Sequence, residues 1–243
     1  MIPEKPAPKV ALITGSSRGL GLTLADFLAA QGYTLILTAR GEEALAEAAA
    51  GLSYGYPVYA LPGDVTDPAH RRALAECAAE QGGLDLLVNN ASDLGVSPLP
   101  PLAQYPLGRL AELYDTNVVA PLGLVQETLP LLKARRGLVV NISSDAATNA
   151  YPGWGGYGSS KAALDNLTRT LAAEVEGVGL VTVDPGDLRT RMHQDAFPGE
   201  DISDRPLPGV TLPFWAWLLG RDPLEVSGAR FGAQGERWEV AGD

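Results

Sequence analysis

Tyr157 and Lys161 lie four residues apart, a spacing that puts two side chains on one face of a helix. An ammonium beside a phenol favours the phenolate and lowers a pKa that is about 10 in water. A tyrosine placed this way donates and accepts protons near neutral pH. Only four of the 18 basic residues are lysines, so a lysine at this position is less readily a chance placement. Ser144 follows the apolar run 137–142. If that run is a strand, Ser144 sits at its carboxyl end, where a hydroxyl can hold a carbonyl oxygen. The three residue types point to proton transfer at a carbonyl or alcohol and leave open what delivers the electrons.

The beginning of the chain answers that question. An apolar strand over 9–14 runs into a turn containing Gly15, Gly19 and Gly21, and a helical pattern over 22–31 follows. Missing side chains let the backbone turn sharply and approach a pyrophosphate, whose charge a helix N-terminus favours. Ser17, Arg18 and Leu20 share the turn and are expected to touch the same dinucleotide. A second strand over 33–39 ends in Thr38, Ala39 and Arg40, with no acidic residue to bind the ribose 2′-hydroxyl of NAD. Arg40, joined by Arg18, suits a 2′-phosphate instead, so NADP(H) is the expected cofactor.

A third strand over 58–61 stops at Asp64 and Val65. The Asp64 carboxylate is placed to accept from an adenine amino group or to cap a turn. Asp67 and Pro68 open a helix reaching about residue 81. A fourth strand over 84–88 leads into Asn89, Asn90 and Ala91, whose amides are expected to tie neighbouring strands and line the cofactor floor. A helical stretch over 107–133, interrupted near Pro121, carries Asn117, a poor helix former. Such an Asn is either an exposed accident or one whose amide serves a distorted turn or an ordered water, and with Lys161 it would complete a water relay carrying protons to Tyr157. A fifth strand (138–142), a helix (157–174) and a sixth strand (180–183) ending at Pro185 and Gly186 follow. Residues 187–210 read as a mobile loop, 212–219 as a short apolar helix and candidate covered surface, and 225–231 as a last strand.

Strands alternating with helices at this spacing imply βαβ units and a parallel sheet. The fold class expected is α/β, a three-layer doubly wound sheet in one domain over 1–243, with 187–220 as a lid. A net charge of −11 argues against nucleic acid or an anionic membrane as partner, and weighs against docking to an acidic carrier protein. Cys77 is the single cysteine, and His70 and His193 lie far apart, so no metal site is expected. The N-terminal stretch lacks the apolar core of a signal peptide, and no apolar run is long enough to span a bilayer. A cytoplasmic location is the expectation.

In this order, the glycine turn, Asn89-Asn90-Ala91, Asn117, Ser144, Tyr157 with Lys161, and Pro185-Gly186 resemble the short-chain dehydrogenase/reductase family, in its NADP-preferring branch. The resemblance spans about residues 10–190. It implies that Tyr157 is the general acid in reduction and that Lys161 lowers its pKa and binds the nicotinamide ribose. It also implies that Ser144 polarises the carbonyl, that Asn117 holds a relay water, and that Pro185, Gly186 and Thr190 line the nicotinamide. A homodimer or homotetramer is implied as well. Ser92 stands where the family usually has glycine, a departure expected to affect backbone freedom more than chemistry.

The expected reaction is hydride transfer between NADPH and a carbonyl or secondary alcohol of a small molecule. Tyr151, Trp154, Met192, Phe197 and Trp215 are candidates for an apolar pocket wall. Asp145, Asp187, Arg189, Arg191 and His193 are candidates for reading polar groups. Two other classes stay open at this point. A non-catalytic NADP(H) sensor would not need a tuned phenol, and an epimerase or lyase would give no net change in nicotinamide absorbance.

Overall fold

The computed structural model describes residues 8–235, apart from residue 53, and residues 237–239. The N-terminal segment 1–7 and the end of the polar tail lie outside the described residues. The chain begins in the middle of the sheet with β1 (Val10–Thr14), crosses by α1 (Gly19–Ala30) to β2 (Thr34–Ala39), and by α2 (Glu42–Ala50) to β3 (Val58–Pro62). It returns through α3 (Pro68–Glu80) to β4 (Leu86–Asn89) on the other side of β1. Then come α4 (Leu107–Tyr114), α5 (Ala120–Arg135), β5 (Leu138–Ile142), α6 (Gly155–Glu174), β6 (Gly179–Asp184), α7 (Arg191–Ala196), α8 (Leu212–Leu219) and β7 (Arg230–Gly232). The seven strands are all parallel, in the order β3-β2-β1-β4-β5-β6-β7. Strand order reverses between β1 and β4, and sheets wound this way open a crevice there beyond the strands' carboxyl ends.

Alternate strand residues feed two cores, which makes three layers. Ile13, Leu35, Val88, Val140 and Val183 pack with α1 and α8. Leu12, Ile36, Leu87, Val139 and Leu180 pack with α3 and α5 on the other face. Strands covered on both faces read as continuous apolar runs, which is why β1, β2 and β5 are legible in the sequence. Asp67 caps α3 by accepting from Ala69 N at 2.8 Å, with Pro68 following.

Four expectations need correction. The long helix is interrupted by a π-helical turn at Asp115–Val119, ahead of Pro121. Pro121 is the second residue of α5, which follows the π-helical turn directly, and it has no N–H to bond back into the preceding turn. The loop 187–210 contains α7, whose cap is Thr190 Oγ1 accepting from His193 N at 3.3 Å. The last strand shrinks to three residues, because Leu180 N donates to the Ser227 hydroxyl at 3.2 Å where a backbone carbonyl would extend the ladder. Finally, α8 buries Phe214, Trp215 and Leu218 in its own core. Its apolar run is explained without a partner.

One buried polar relay ties the layers beneath the crevice. Asn89 Nδ2 donates to Asn141 Oδ1 at 2.8 Å, and Asn141 Nδ2 donates to Thr168 Oγ1 on α6, also at 2.8 Å. Thr168→Val keeps the shape and leaves a buried Asn141 N–H without its acceptor. An unsatisfied buried donor costs about 1–3 kcal/mol, so urea denaturation should show a loss in that range with an unchanged m-value.

Candidate active site

The carboxyl ends of β1 to β6 border a cleft of about 930 Å³. At one end is the turn after β1. Gly15 adopts φ +65°, and a Cβ on Gly21 would stand 2.4 Å from Gly15 O and 2.6 Å from Asn90 Nδ2. Only glycine fits Gly21, which lies under the turn while Gly15, Ser17, Arg18, Gly19 and Leu20 face the cleft. Asn90 Nδ2 donates to Thr14 O and Gly15 O at 2.9 and 3.1 Å, and Thr14 Oγ1 accepts from Asn90 N and Ala91 N at 3.0 and 2.9 Å. Asn90 and Ala91 therefore hold the glycine turn open as well as lining the cleft. Gly19 and Leu20, the first residues of the twelve-residue helix α1, line this space, and the N-terminus of a helix favours an anion.

Beyond β2 the rim carries Arg18 and Arg40, both exposed. Neither guanidinium has a carboxylate within ion-pairing distance among the described residues. Asp64 accepts from Thr66 N and Thr66 Oγ1 through Oδ1, at 2.9 and 2.8 Å. Burial works against its charge, but the Thr66 bonds, Arg40 and His70 together hold the carboxyl below its ordinary range. The turn-capping role is thus realised, with Val65 beside it in the cleft wall. Arg71, only 9% exposed, clamps this turn from behind, donating through Nη1 to Val65 O at 2.7 Å and Thr66 O at 2.9 Å. Sequence reasoning missed it, although an arginine one turn before Leu74 on an apolar helix face was the available signal.

At the other end α6 brings Tyr157 and Lys161 to the cleft floor, 8% and 2% exposed. Lys161 Nζ donates to Ile142 O at 2.7 Å and stands 5.5 Å from the centre of the Tyr157 ring. Ser144 reaches the same floor, accepts from Ala146 N at 3.2 Å and donates to Asp145 Oδ1 at 3.1 Å. Pro185, Gly186 and Thr190 form the facing wall. The Thr190 methyl would be 3.5 Å from a Cβ on Gly19, so the segment after β6 reaches across to the glycine turn. Tyr151, Trp154, Met192 and Phe197 line the cleft with Asp145, Asp187, Arg191 and His193. Trp215 and Arg189 do not. The Trp215 indole is sealed in the core with its N–H on Thr211 Oγ1 at 3.2 Å.

Two expectations about the proton chemistry change. Asn117 does not face the cleft. Its Oδ1 accepts from Asp93 N at 2.8 Å and Ser92 Oγ at 3.1 Å, and its Nδ2 donates to Asp93 O at 2.9 Å and Ser160 Oγ at 3.0 Å. The π-helical turn aims this amide at the 92–93 backbone, so its polar atoms are spent on protein partners. Nor does the lysine bring the phenol down in the protein alone. Burial is the largest influence on Tyr157 and pushes its pKa up, with Asp184 and Asp145 adding to it, against hydrogen bonds from Ser92 and Ser144. Burial likewise pushes Lys161 down to about 8, against the pull of Asp165.

Arg230 of β7 braces the floor. It donates through Nε to Asp165 Oδ2 at 3.0 Å, and through Nη2 to Ser144 O at 2.8 Å and Asp184 Oδ2 at 3.3 Å. No spacing in the sequence links it to the other three residues.

The model of the family described as short chain dehydrogenase matches residues 9–201. A 3-oxoacyl-[acyl-carrier-protein] reductase of rhamnolipid biosynthesis from Pseudomonas aeruginosa is 36% identical over 195 residues, covering 76% of this chain and 75% of that protein. A serine 3-dehydrogenase from Rhizobium radiobacter is 35% identical over 204 residues, 82% and 80% of the two chains. The crystal structure of an Escherichia coli short chain dehydrogenase complexed with NADPH superposes with a TM-score of 0.87 at 30% identity, covering 96% of this chain and all of that one. Among the described residues, no group of acidic, histidine or cysteine side chains is arranged to hold a metal ion, and no helix is long and apolar enough to cross a membrane.

The depressed Lys161 makes a prediction about stability. Its folded-state pKa lies below the ordinary 10.5, so between about pH 8 and that value the unfolded chain binds more protons than the folded one. Stability then rises with pH across that window. Below pH 8 the buried ammonium is a standing cost on the order of 3 kcal/mol. Wild type should therefore gain on Lys161→Met as the pH is raised from 8 towards 10.5, and a pH-independent difference in denaturation free energy would show that the ammonium is not strained.

Proposed function

The chain belongs to the short-chain dehydrogenase family, and on that premise we propose that it is an NADPH-dependent oxidoreductase acting on a carbonyl or secondary alcohol of a small molecule. The observation that carries the reading is the meeting of Tyr157, Lys161 and Ser144 on the floor of a cleft whose other end is a glycine turn rimmed by two guanidiniums that form no ion pair among the described residues. Gly15 and Gly19 leave room for a pyrophosphate against the backbone, Gly21 lets the turn close beneath them, and the start of α1 supplies N–H donors for it. Arg18 and Arg40 would hold a 2′-phosphate, since each has its donors available. Val65, Asn90, Ala91, Pro185, Gly186 and Thr190 would line the rest of the dinucleotide, whose reduced ring supplies the hydride.

The residues divide the remaining work. Ser144 donates to the substrate oxygen, which requires its hydrogen to leave Asp145. Tyr157 gives its proton to that oxygen in reduction and takes it back in oxidation. Lys161, anchored on Ile142 O, keeps a positive charge against the phenol ring. The apolar cover of Leu94, Trp154, Met192, Ala196 and Phe197 over Tyr157 keeps water away from the exchange, and of the segment 187–220 the part ahead of α8 that lines the cleft is assigned as its lid within one domain. A free small molecule suits the net charge of −11 better than an acidic carrier. A homodimer or homotetramer in the cytoplasm completes the reading.

Thermal-shift titration tests the cofactor. NADPH should stabilise the protein at concentrations where NADH does little, and Arg40→Glu should lower the preference by roughly 10- to 100-fold. Equal shifts with both nucleotides would remove the role of the two arginines. Tyr157→Phe tests the acid. The turnover rate should fall by about 10²- to 10⁴-fold with the NADPH-induced shift retained, and reduction at the wild-type rate would end the assignment.

A further inference from the structure

The hydrogen that Ser144 needs for a substrate is held by Asp145. Ser144 Oγ donates to Asp145 Oδ1 at 3.1 Å, and Tyr151 Oη donates to Asp145 Oδ2 at 2.8 Å. All three residues line the cleft. A serine hydroxyl has one hydrogen to give, so Ser144 cannot serve Asp145 and a substrate oxygen together. Two neutral hydroxyls thus fix the carboxylate beside the reacting serine and leave its charge without a counter-ion.

The other carboxylates at this end of the cleft are matched. Asp93 pairs with Arg109 at 3.6 Å, Asp184 with Arg230 at 3.3 Å, Asp187 with Arg205 at 3.6 Å and Asp195 with Arg191 at 3.0 Å. Among the described residues, Asp145 has no cation within ion-pairing distance. Its charge also reaches the phenol, where it adds to the burial that keeps Tyr157 neutral. The carboxylate therefore hinders the reaction twice, by holding the serine hydrogen and by opposing loss of the tyrosine proton. A cation that arrives with the substrate removes both hindrances.

The walls around Asp145 narrow the kind of cation. Trp154 stands between the Tyr157 and Phe197 rings, with centroids 5.8 and 6.0 Å away, and Tyr151 completes an aromatic lining. Aromatic faces attract an organic cation. A hard metal ion would need several oxygen ligands, and no group of side chains is arranged to hold one among the described residues. An ammonium has three donors, enough to meet the free side of the carboxylate and still face a ring. The net charge of −11 draws such a substrate in.

We propose that the substrate carries a protonated amine on the carbon next to the reacting one, and that Asp145 binds this ammonium and so frees Ser144 for the substrate oxygen. The inference rests on the cleft being the oxidoreductase site proposed above. The vicinal placement follows from the contact between Ser144 Oγ and Asp145 Oδ1 at 3.1 Å. A ligand whose oxygen meets the first and whose nitrogen meets the second bridges two neighbouring atoms, as oxygen and nitrogen on adjacent carbons do. The ammonium keeps its protons and takes no part in the redox step. The substrate class is thus a vicinal amino alcohol or the matching amino ketone.

The test uses phenylethanolamine, styrene glycol and α-methylbenzyl alcohol, which share one secondary alcohol and carry an ammonium, a hydroxyl or a hydrogen on the next carbon. Each is assayed for oxidation with NADP⁺ at neutral pH, and as a ligand of the NADP⁺ complex by thermal shift. In wild type, kcat/KM for the amine should exceed that for α-methylbenzyl alcohol by about 10- to 100-fold, the effect of one bond between charged groups. Asp145→Asn keeps the shape and removes the charge, and should bring that ratio to about one. Asp145→Ser serves as a second charge-free variant, and an NADPH-induced thermal shift in each reports a folded, cofactor-binding protein. Equal kcat/KM for the three alcohols, a preference for the glycol, or an amine preference that survives both variants would overturn the ammonium site and leave the oxidoreductase reading standing. Amine-specific stabilisation lost in Asp145→Asn, without turnover of any probe, would support the ammonium site and count against the redox reading alone. Neither stabilisation nor turnover by the amine would overturn the proposal.

Discussion

A lysine ammonium 2% exposed is the constraint around which the floor of this molecule is arranged. Taking such a charge out of water is expensive unless dipoles or counter-charges receive it. Lys161 meets one carbonyl, Ile142 O at the end of β5, and the field of Asp165 one turn further along α6. Asp165 is itself held by Arg230, which also grips Ser144 O and Asp184. The three-residue strand β7 thus matters less for its ladder than for the arginine it brings to the carboxyl ends of β5 and β6. The Asn89–Asn141–Thr168 relay does the same service from below, fixing β4, β5 and α6 in one register.

The other end of the cleft works by the opposite physics. Arg18 and Arg40 are exposed and free of ion pairs among the described residues, so they hold little energy in the protein alone and are available to an anion. What is rigid there is the backbone. Gly21 cannot carry a Cβ against Gly15 O, Asn90 clamps the turn, and Arg71 clamps the neighbouring loop at Val65 and Thr66. A stiff frame with loose cations at its rim binds by shape first and by charge second, and the order matters because exposed charges are screened by salt.

The legible parts of the sequence were those fixed by local rules. The buried strands show as apolar runs, Asp67-Pro68 announces α3, and the four-residue spacing of Tyr157 and Lys161 holds because both lie in one regular helix. What the sequence hid depends on contacts distant along the chain. A π-helical turn costs one residue of register and has no composition of its own, so the aim of Asn117 could not be read. Arg230 meets Asp165 across 65 residues. Ser227 replaces a ladder carbonyl with a hydroxyl, which shortens β7. The direction of the tyrosine shift was misjudged for a related reason, since pairing with a lysine is local, whereas burial of the phenol is a property of the whole fold.

That misjudgement carries the main physical lesson of the site. Burial moves Tyr157 up and Lys161 down, so both shifts favour the neutral form, and a common cause is needed. Desolvation acts in this sense on both, raising an acid and lowering a base, and it is the largest influence on each. A mutual attraction between phenolate and ammonium would have moved the two the other way. The dry floor therefore resists ionisation, and Asp145 and Asp184 deepen that resistance for the phenol. Against it stands the Ser144 hydroxyl, whose one hydrogen has another acceptor already in contact. In a site where burial sets the starting point, the orientation of that O–H bond is the smallest local change able to alter the ease with which Tyr157 parts with its proton.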